Sequence, residues 1–310
     1  MKLVEKNYVI KLAVTVIFVF IFFPNLVRAA DFFFDSSSEK IYKDDTFVVK
    51  LKLSTADNLI NAVEGSLSFD NSKLEVKEIS TGGSIFSLWP KPAVFLNEKG
   101  EISFVGGVMG GFQGVDAEIL KIIFTAKKEG AADLQFEKDS SLFLNDGKGT
   151  KVSFKAKPFR VSILERPEGL VPKDEWQPLL KQDMTQPEPF ELIVDKIPFV
   201  FEGDYFVSFF TTDKDSGIDH YEIREGDGGL IKAESPYRLK DQSLRSKIEV
   251  KALDKAGNER LVVLQPLHPE KIYQKFLFWG IIILILLVAL GFFFRKKKRS
   301  KPGKFIRSRK

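Results

Sequence analysis

Phe276 to Phe294 (FLFWGIIILILLVALGFFF) runs for 19 residues without a charge, and RKKKRSKPGKFIRSRK follows at once. At about 1.5 Å per residue, a helix of that length reaches roughly 28 Å, close to the hydrocarbon thickness of a bilayer. A core helix of a soluble domain keeps polar residues on one face, and this run has none. The tail, 295–310, holds ten Lys or Arg and no acid. By the positive-inside rule it is expected in the cytoplasm, with the body of the chain outside and one transmembrane helix over 276–294. Such a tail also favours anionic inner-leaflet lipid, at about 1 kcal/mol per basic residue.

The N-terminus fits the same topology. Lys2, Lys6 and Lys11 surround or precede the apolar LAVTVIFVFIFF, and PNLVRAAD follows. This pattern predicts a signal peptide over 1–29, with Val27 and Ala29 at the −3 and −1 positions of the cleavage site. An uncleaved signal anchor is the alternative, and under both readings the chain from residue 30 leaves the cytoplasm. The expected location is the cell membrane, single-pass, with the N-terminal domains extracellular.

Charge has to be apportioned before it is interpreted. The whole chain carries +5, the tail +10 and residues 1–29 +3, which leaves −8 for everything between. A basic total would suggest nucleic acid, but the basic residues are topology signals and the exported body is acidic. Nucleic acid is therefore excluded as a partner. The chain has no cysteine, so the exported part must hold together without disulfides, and thiol nucleophiles and cysteine zinc sites are absent.

From 30 to 165 the sequence is built of short alternating runs. FVVKLKLS (47–54) sets Val49, Leu51 and Leu53 on one face and Lys50 and Lys52 on the other. VEGSLSF (63–69) sets Val63, Leu67 and Phe69 against Glu64, Ser66 and Ser68, and LKIIFTAK (120–127) and KVSFKAKPF (151–159) repeat the habit. Turn residues (DNSK, NEKG, KKEG, NDGKG) punctuate the runs, which predicts an all-β sandwich. Residues 166–189 contain five prolines and few aliphatics, and are expected to be a linker with no core of its own, in which Trp176 and Leu179–Leu180 dock locally. A second, smaller β-sandwich is expected over 190–266, from YFVSFFTTD, IDHYEIRE and KIEVKALDKAGNERLVVL.

VGGVMGGFQG (105–114) raises the possibility of a phosphate cradle. Such a cradle needs a following helix to aim its amides, and a Walker-type loop needs Lys followed by Ser or Thr. Here the next element is a strand near 118–126 and the GxGxxG spacing fails, so the run is expected to be a loop connecting two strands.

NLINAVEGSLSFDNSKLEVKEI (58–79) and GEISFVGGVMGGFQGVDAEILKIIFTAKKEG (100–130) together resemble a cohesin domain. Phe69 to Val76 is similar to the family's "YDPSKLEV" turn, Gly106 to Gly114 to its Gly/Ser-rich stretch, and Leu120 to Lys127 to its "LATITFKAK" strand. The likeness covers about 135 residues and implies a nine-stranded jelly-roll β-sandwich. The second module resembles a bacterial immunoglobulin-like or fibronectin type III-like repeat, through TTDKDSGIDHYEI, SPYRL and VKALDKAGNE. The fold class expected is thus all-β: a cohesin-like sandwich, an immunoglobulin-like sandwich and one C-terminal membrane helix.

Enzyme signatures are lacking. The two histidines, His220 and His268, fall in a strand and beside the membrane run, and no GxSxG elbow accompanies the serines. The cohesin resemblance implies instead a partner protein of dockerin type, bound on one sheet face. The matching outward positions are Ala62, Glu64, Ser66 and Ser68, with Val105 adjacent. Glu64 stands where the family often has an acidic contact, and Ala62 where cellulosomal members often carry Asn. A solvated polar face is the alternative for these positions.

Trp89, in SLWPKP, is either a stacking platform for carbohydrate or a ring packed beneath its own loop. DKDSGID (213–219) begins like a calcium loop but breaks the EF-hand pattern at Gly217, Ile218 and Arg224. In an immunoglobulin-like sandwich this loop and DKAGN (254–258) emerge at one end. Asp213, Asp215 and Asp254 then either converge on a hard cation, calcium being the candidate, or make Asx-turns. No other cofactor is expected. The function expected is non-catalytic protein binding or adhesion at the cell surface, with carbohydrate or cell-wall binding, or a ligand-free stalk, as alternatives.

Overall fold

The structure, a computed structural model, describes residues 29–37, 40–269 and 276–299. The expected signal peptide, residue 29 aside, and residues 300–310 of the basic tail lie outside the described residues. The chain divides into two compact units. The first holds the chain up to residue 191 together with 210–221 and 251–260, and the second holds 192–209, 222–250 and the chain from 261 onward.

The first unit is a sandwich of two sheets. One sheet runs β12 (Phe154–Ala156), β1 (Ala30–Ser36), β3 (Thr46–Ser54), β8 (Ala117–Ala126) and β5 (Leu74–Ser80). The other runs β11 (Lys151–Val152), β10 (Ser141–Leu144), β4 (Ile60–Phe69), β9 (Gly130–Phe136), β13 (Phe159–Leu164) and β2 (Ile41–Tyr42). On the free side of β4 lies β7 (Glu101–Phe112), and beyond it β6 (Leu88–Leu96), which pairs with β7 alone. The thirteen segments exceed the nine expected partly because β2, β11 and β12 are pieces of two or three residues.

Period-two alternation decides which side chains fill the space between the sheets. Val49, Leu51 and Leu53 from β3 meet Val63 and Leu67 from β4, all buried in one cluster with Phe32, Leu134 and Val161. Phenylalanine rings also meet between the layers. Phe32 lies 4.7 Å from Phe136 between ring centroids, and Phe69 meets Phe124 edge-on at 5.5 Å. Both arrangements are favourable for aromatic quadrupoles.

Two expectations change in this unit. The glycine-rich stretch is mostly strand: β7 continues through it to Phe112. A Cβ on Gly106 would stand 2.6 Å from Phe86 Cδ2 and 3.0 Å from Trp89 Cζ3, so the bare backbone is what lets two rings lie over the sheet. Left-handed φ values of 80° and 77° at Gly110 and Gly111 then turn the strand end, beside a register shift against β4.

The second change is the 166–189 segment, which packs on the sandwich and forms a helix, α1 (Trp176–Gln182). Thr46 donates its N–H to Lys173 O at 2.8 Å, Glu175 donates to Thr46 O at 3.0 Å, and Val48 donates to Glu175 Oε2 at 3.1 Å. Asp45, 4 % exposed, accepts Arg166 Nη2 at 2.8 Å, Tyr42 N at 2.8 Å and Lys173 N at 2.7 Å. Asp174 Oδ1 caps the helix by accepting the amides of Trp176 and Gln177. Trp176 is buried with Val48, Ile123 and Leu180, and its indole N–H reaches Glu78 Oε2 at 2.7 Å. Burial of Val48 and Ile123, which face away from the interlayer core, follows from that cover.

The second unit contains the three-stranded sheet β14 (Ile193–Asp195), β15 (Phe206–Ser208) and β18 (Tyr237–Arg238). The remaining strands form a four-stranded sheet in the order β17 (Ile231–Ala233), β16 (Ile218–Glu225), β19 (Ile248–Asp254) and β20 (Glu259–Leu264). Within the second unit Phe206, Val207, Phe209, Ile223, Leu239, Ile248 and Val250 are buried. Helix α2 (Phe276–Arg299) contains a 20-residue stretch, Leu277–Lys296, long and apolar enough to cross a membrane and buried nowhere in the protein.

Candidate functional site

The outward face of the sheet containing β4 carries the first group of candidate residues. Because directly paired residues point the same way, the register reads as rows across the face. Glu64 lies between Val105 on β7 and Ser141 on β10, and Lys91 on β6 continues the row. Ser66 pairs with Ser103, which pairs with Val94, while Ser68 pairs with Glu101, which pairs with Leu96. Ala62 sits between Gly107 and Phe143, and Leu88 extends that row. The five residues expected on this face, Ala62, Glu64, Ser66, Ser68 and Val105, are therefore neighbours on one surface.

They differ in availability. Glu64 is exposed and makes no ion pair among the described residues. The hydroxyl of Ser68 donates to Glu137, and Ser66 exchanges hydrogen bonds through its backbone with Ser140, so the turn after β9 covers that end of the strip. Lys151 lies over the Phe143 ring and donates to Ser141 Oγ at 2.9 Å. Alongside the polar strip, the edge strand β6 exposes Leu88, Val94 and Leu96 at 39 %, 48 % and 47 %. Sequence pattern did not mark these three as part of the face, because Pro90 and Pro92 interrupt the strand signal. Proline is tolerated there because β6 is an edge, and the register slips around the prolines accordingly.

Trp89 belongs to the opposite side of this sheet. Its ring packs against Phe86 at 5.9 Å and Phe104 at 6.1 Å, over the bare backbone of Gly106. The ring is partly buried against the core cluster, the arrangement expected of a ring packed beneath its own loop.

A second group of residues is a cluster of acids in the first unit. Gly82 and Gly217 let two turns touch: a Cβ on Gly82 would be 2.3 Å from Asp215 O. Ser80 Oγ donates to Ser216 O at 2.6 Å, and Gly83 N donates to Asp213 O at 3.1 Å. Lys255 N donates to Gly217 O at 2.9 Å, which places the DKAGN turn against the DKDSG loop. In this arrangement Asp183, Asp213 and Asp254 are all buried, and one oxygen from each lies within 4.8 Å of the others. Asp215, expected in the set, is outside it: its carboxylate accepts Thr185 Oγ1 at 2.9 Å. Asp183, from the segment expected to be a linker, takes that place.

The three carboxylates are held rigidly. Asp213 Oδ1 accepts the amides of Asp215, Ser216 and Gly217 at 2.8–3.0 Å, while its Oδ2 is buried without a hydrogen-bond partner. Asp183 accepts Ser216 N, Thr185 N and Thr185 Oγ1, and Asp254 accepts both N and Nδ2 of Asn258. Burial works against the charged form of Asp183, but the bonds from Ser216 and Thr185 outweigh it and hold its carboxyl below the ordinary value. Burial pushes Asp254 up, the Asn258 bonds oppose this, and the negative charges of Asp183 and Asp213 reinforce it. At no more than 4.8 Å and an effective dielectric of about 20, each pair of full charges repels by at least about 3.5 kcal/mol. Among the described residues no Lys or Arg forms an ion pair with any of the three.

Of the two histidines, His220 Nδ1 faces Asp219 at 2.5 Å and His268 Nδ1 faces Ser243 O at 3.2 Å.

Residues 33–157 match the family model described as "Cohesin domain". No curated protein matches the chain. Among solved structures, one similar chain comes from a type I cohesin–dockerin complex of Clostridium thermocellum, at 17% identity and a TM-score of 0.39, covering 46% of this chain and 100% of that one. A non-cellulosomal cohesin from the hyperthermophilic archaeon Archaeoglobus fulgidus is 16% identical, with a TM-score of 0.37, over 44% of this chain and 93% of its own. The seventh ScaB type I cohesin of Pseudobacteroides cellulosolvens is 18% identical, with a TM-score of 0.36, over 46% and 97%. The chain thus carries, over residues 33–157, a cohesin-like β-sandwich.

Proposed function

We propose that this protein is a membrane-anchored, non-catalytic binding protein of the cell surface, which docks a dockerin-like partner module on the outward face of β6, β7, β4 and β10. The observation that carries the reading is the cohesin-domain match over 33–157, combined with a face on which Glu64 is exposed and unpaired beside Leu88, Val94 and Leu96. A central carboxylate gives register and orientation, and an apolar margin supplies area to bury. Helix α2 anchors the chain, with the basic tail inside, and the second module, read as immunoglobulin-like, serves as a stalk.

The test uses the full chain in detergent against a panel of calcium-loaded dockerin modules, with binding followed by biolayer interferometry. A dockerin is expected to bind, and Glu64→Lys and Val94→Glu each to weaken it at least tenfold while leaving the melting temperature in place. A panel with no binder, or affinity indifferent to both substitutions, overturns the reading. The topology has its own check. The chain has no cysteine, so a single one introduced at Ser308 should resist an impermeant maleimide on intact cells, and one at Asp139 should react.

A further inference from the structure

The acid cluster of the first unit is independent of the sheet face and needs its own explanation. Three buried carboxylates face one another with no protein cation between them. Hydrogen bonds hold each group in place, yet Asp213 Oδ2, in a residue only 3 % exposed, has no partner. A buried polar atom left unpaired is costly and calls for an explanation, of which a bound ion is one. The donors are all carboxylate oxygens, with no nitrogen or sulfur, which selects a hard cation. Magnesium is usually held by one or two carboxylates and keeps several waters, whereas calcium accepts a cage of protein oxygens, so three convergent carboxylates favour calcium.

We infer that Asp183, Asp213 and Asp254 form a site for one divalent cation of calcium type. The site joins three separate stretches of chain: the end of α1, the DKDSG loop before β16, and the turn between β19 and β20. Backbone amides orient Asp213 by engaging Oδ1, which leaves Oδ2 for the ion. Bound calcium replaces the mutual repulsion of the three carboxylates with attraction, so the ion tightens the unit. For an extracellular site with three carboxylates, the dissociation constant falls on the order of 10⁻⁴–10⁻³ M.

The experiment is a melting series on the full chain in detergent, stripped with EDTA and then titrated with calcium chloride or magnesium chloride, alongside isothermal titration calorimetry with calcium. The wild type is expected to bind one calcium and to melt several degrees higher at 10 mM calcium, with a smaller rise in magnesium. Asp213→Asn keeps the amide-accepting oxygen and places an NH2 donor between the other two carboxylates. It should therefore melt higher than wild type in EDTA and lose the calcium-dependent rise. Asp254→Asn is a second route to the same outcome if the first variant fails to fold. Asp139→Asn, an exposed acid elsewhere, should respond as wild type does. Absence of calcium binding and of any rise in wild type overturns the proposal, and so does a rise that survives both substitutions.

Discussion

Replacing Trp176 by alanine asks whether the segment after the first sandwich is a linker or part of the fold. The indole is 1 % exposed and packs on Val48, Ile123 and Leu180, with its N–H bonded to Glu78 at 2.7 Å. Truncating a buried tryptophan costs about 3–5 kcal/mol through lost transfer energy and the cavity left behind. Glu78 is not left alone, because Lys255 also bonds to it, so little is added for an orphaned carboxylate. Spread over a unit of this size, the loss lowers the melting temperature by on the order of 10 °C. Part of it can appear as local detachment instead of global unfolding, so the assay pairs a circular-dichroism melt of the full chain with timed tryptic cleavage at Lys173 and Lys181. A local loss of even about 3 kcal/mol raises the population of the open, cleavable form by roughly 100-fold. Trp176→Phe retains most of the packing and loses the hydrogen bond, worth about 1 kcal/mol, and should fall between. A Trp176→Ala protein that melts within 2 °C of wild type and is cut no faster would refute the docked-segment account and restore the linker.

Other consequences can be checked on the same material. Gly106→Ala inserts a Cβ 2.6 Å from Phe86 Cδ2; it should destabilise the sandwich by about 1–3 kcal/mol, and denaturant melts at wild-type midpoint would rule this out. Asp45 has a carboxyl held below the ordinary 3.8: burial opposes its charge, but bonds from Arg166, Tyr42 and Lys173 prevail. Its contribution is therefore present above pH 3.8 and is lost as pH falls through the lower folded-state value, where the unfolded chain already binds the proton. Asp45→Asn should be less stable than wild type at pH 7, with the gap closing on acidification; a gap constant from pH 7 to pH 2 would contradict the assignment.

How much of this was legible in the sequence depends on whether the decisive contact is local. The inward set Val49, Leu51 and Leu53 follows from alternation alone, because a strand's own pleat assigns the faces. The outward positions Glu64, Ser66 and Ser68 follow by the same rule. Val48 does not: it alternates outward yet is buried, because α1 covers it. That helix was hidden by composition, since five prolines in 24 residues signal a linker, although Asp174 as a cap and the Trp176–Leu180 spacing were available as helix signals. Likewise β6 was obscured by Pro90 and Pro92, whose tolerance depends on edge position, a tertiary fact. The choice of Asp183 over Asp215 is the least legible of all. Both are single acids in polar surroundings, and the geometry that selects between them arises only when the Gly82 and Gly217 turns touch.

Among the contacts that fasten the segment from 166 to 189 to a unit with no disulfides, three differ in chemistry, and this difference predicts where it loosens. At Asp45 and Arg166 the attachment is an ion pair completed by backbone amides, and at Trp176 it is apolar burial completed by one hydrogen bond. In both, no negative charge is left facing another acid. At Asp183 the attachment faces two further acids and carries uncompensated negative charge. Withdrawing divalent cations should therefore release the segment from its C-terminal end only. Hydrogen exchange of the full chain in EDTA and in 10 mM calcium should show faster exchange over residues 183–188 without the ion, while the amides of Thr46 and Glu175, bonded across the strap, exchange alike in both. Equal protection over 183–188 in the two buffers would mean that the acid cluster is satisfied without a cation. Loss of protection along the whole segment would mean that the three attachments act as one, and that the pairing at Thr46 has no stability of its own.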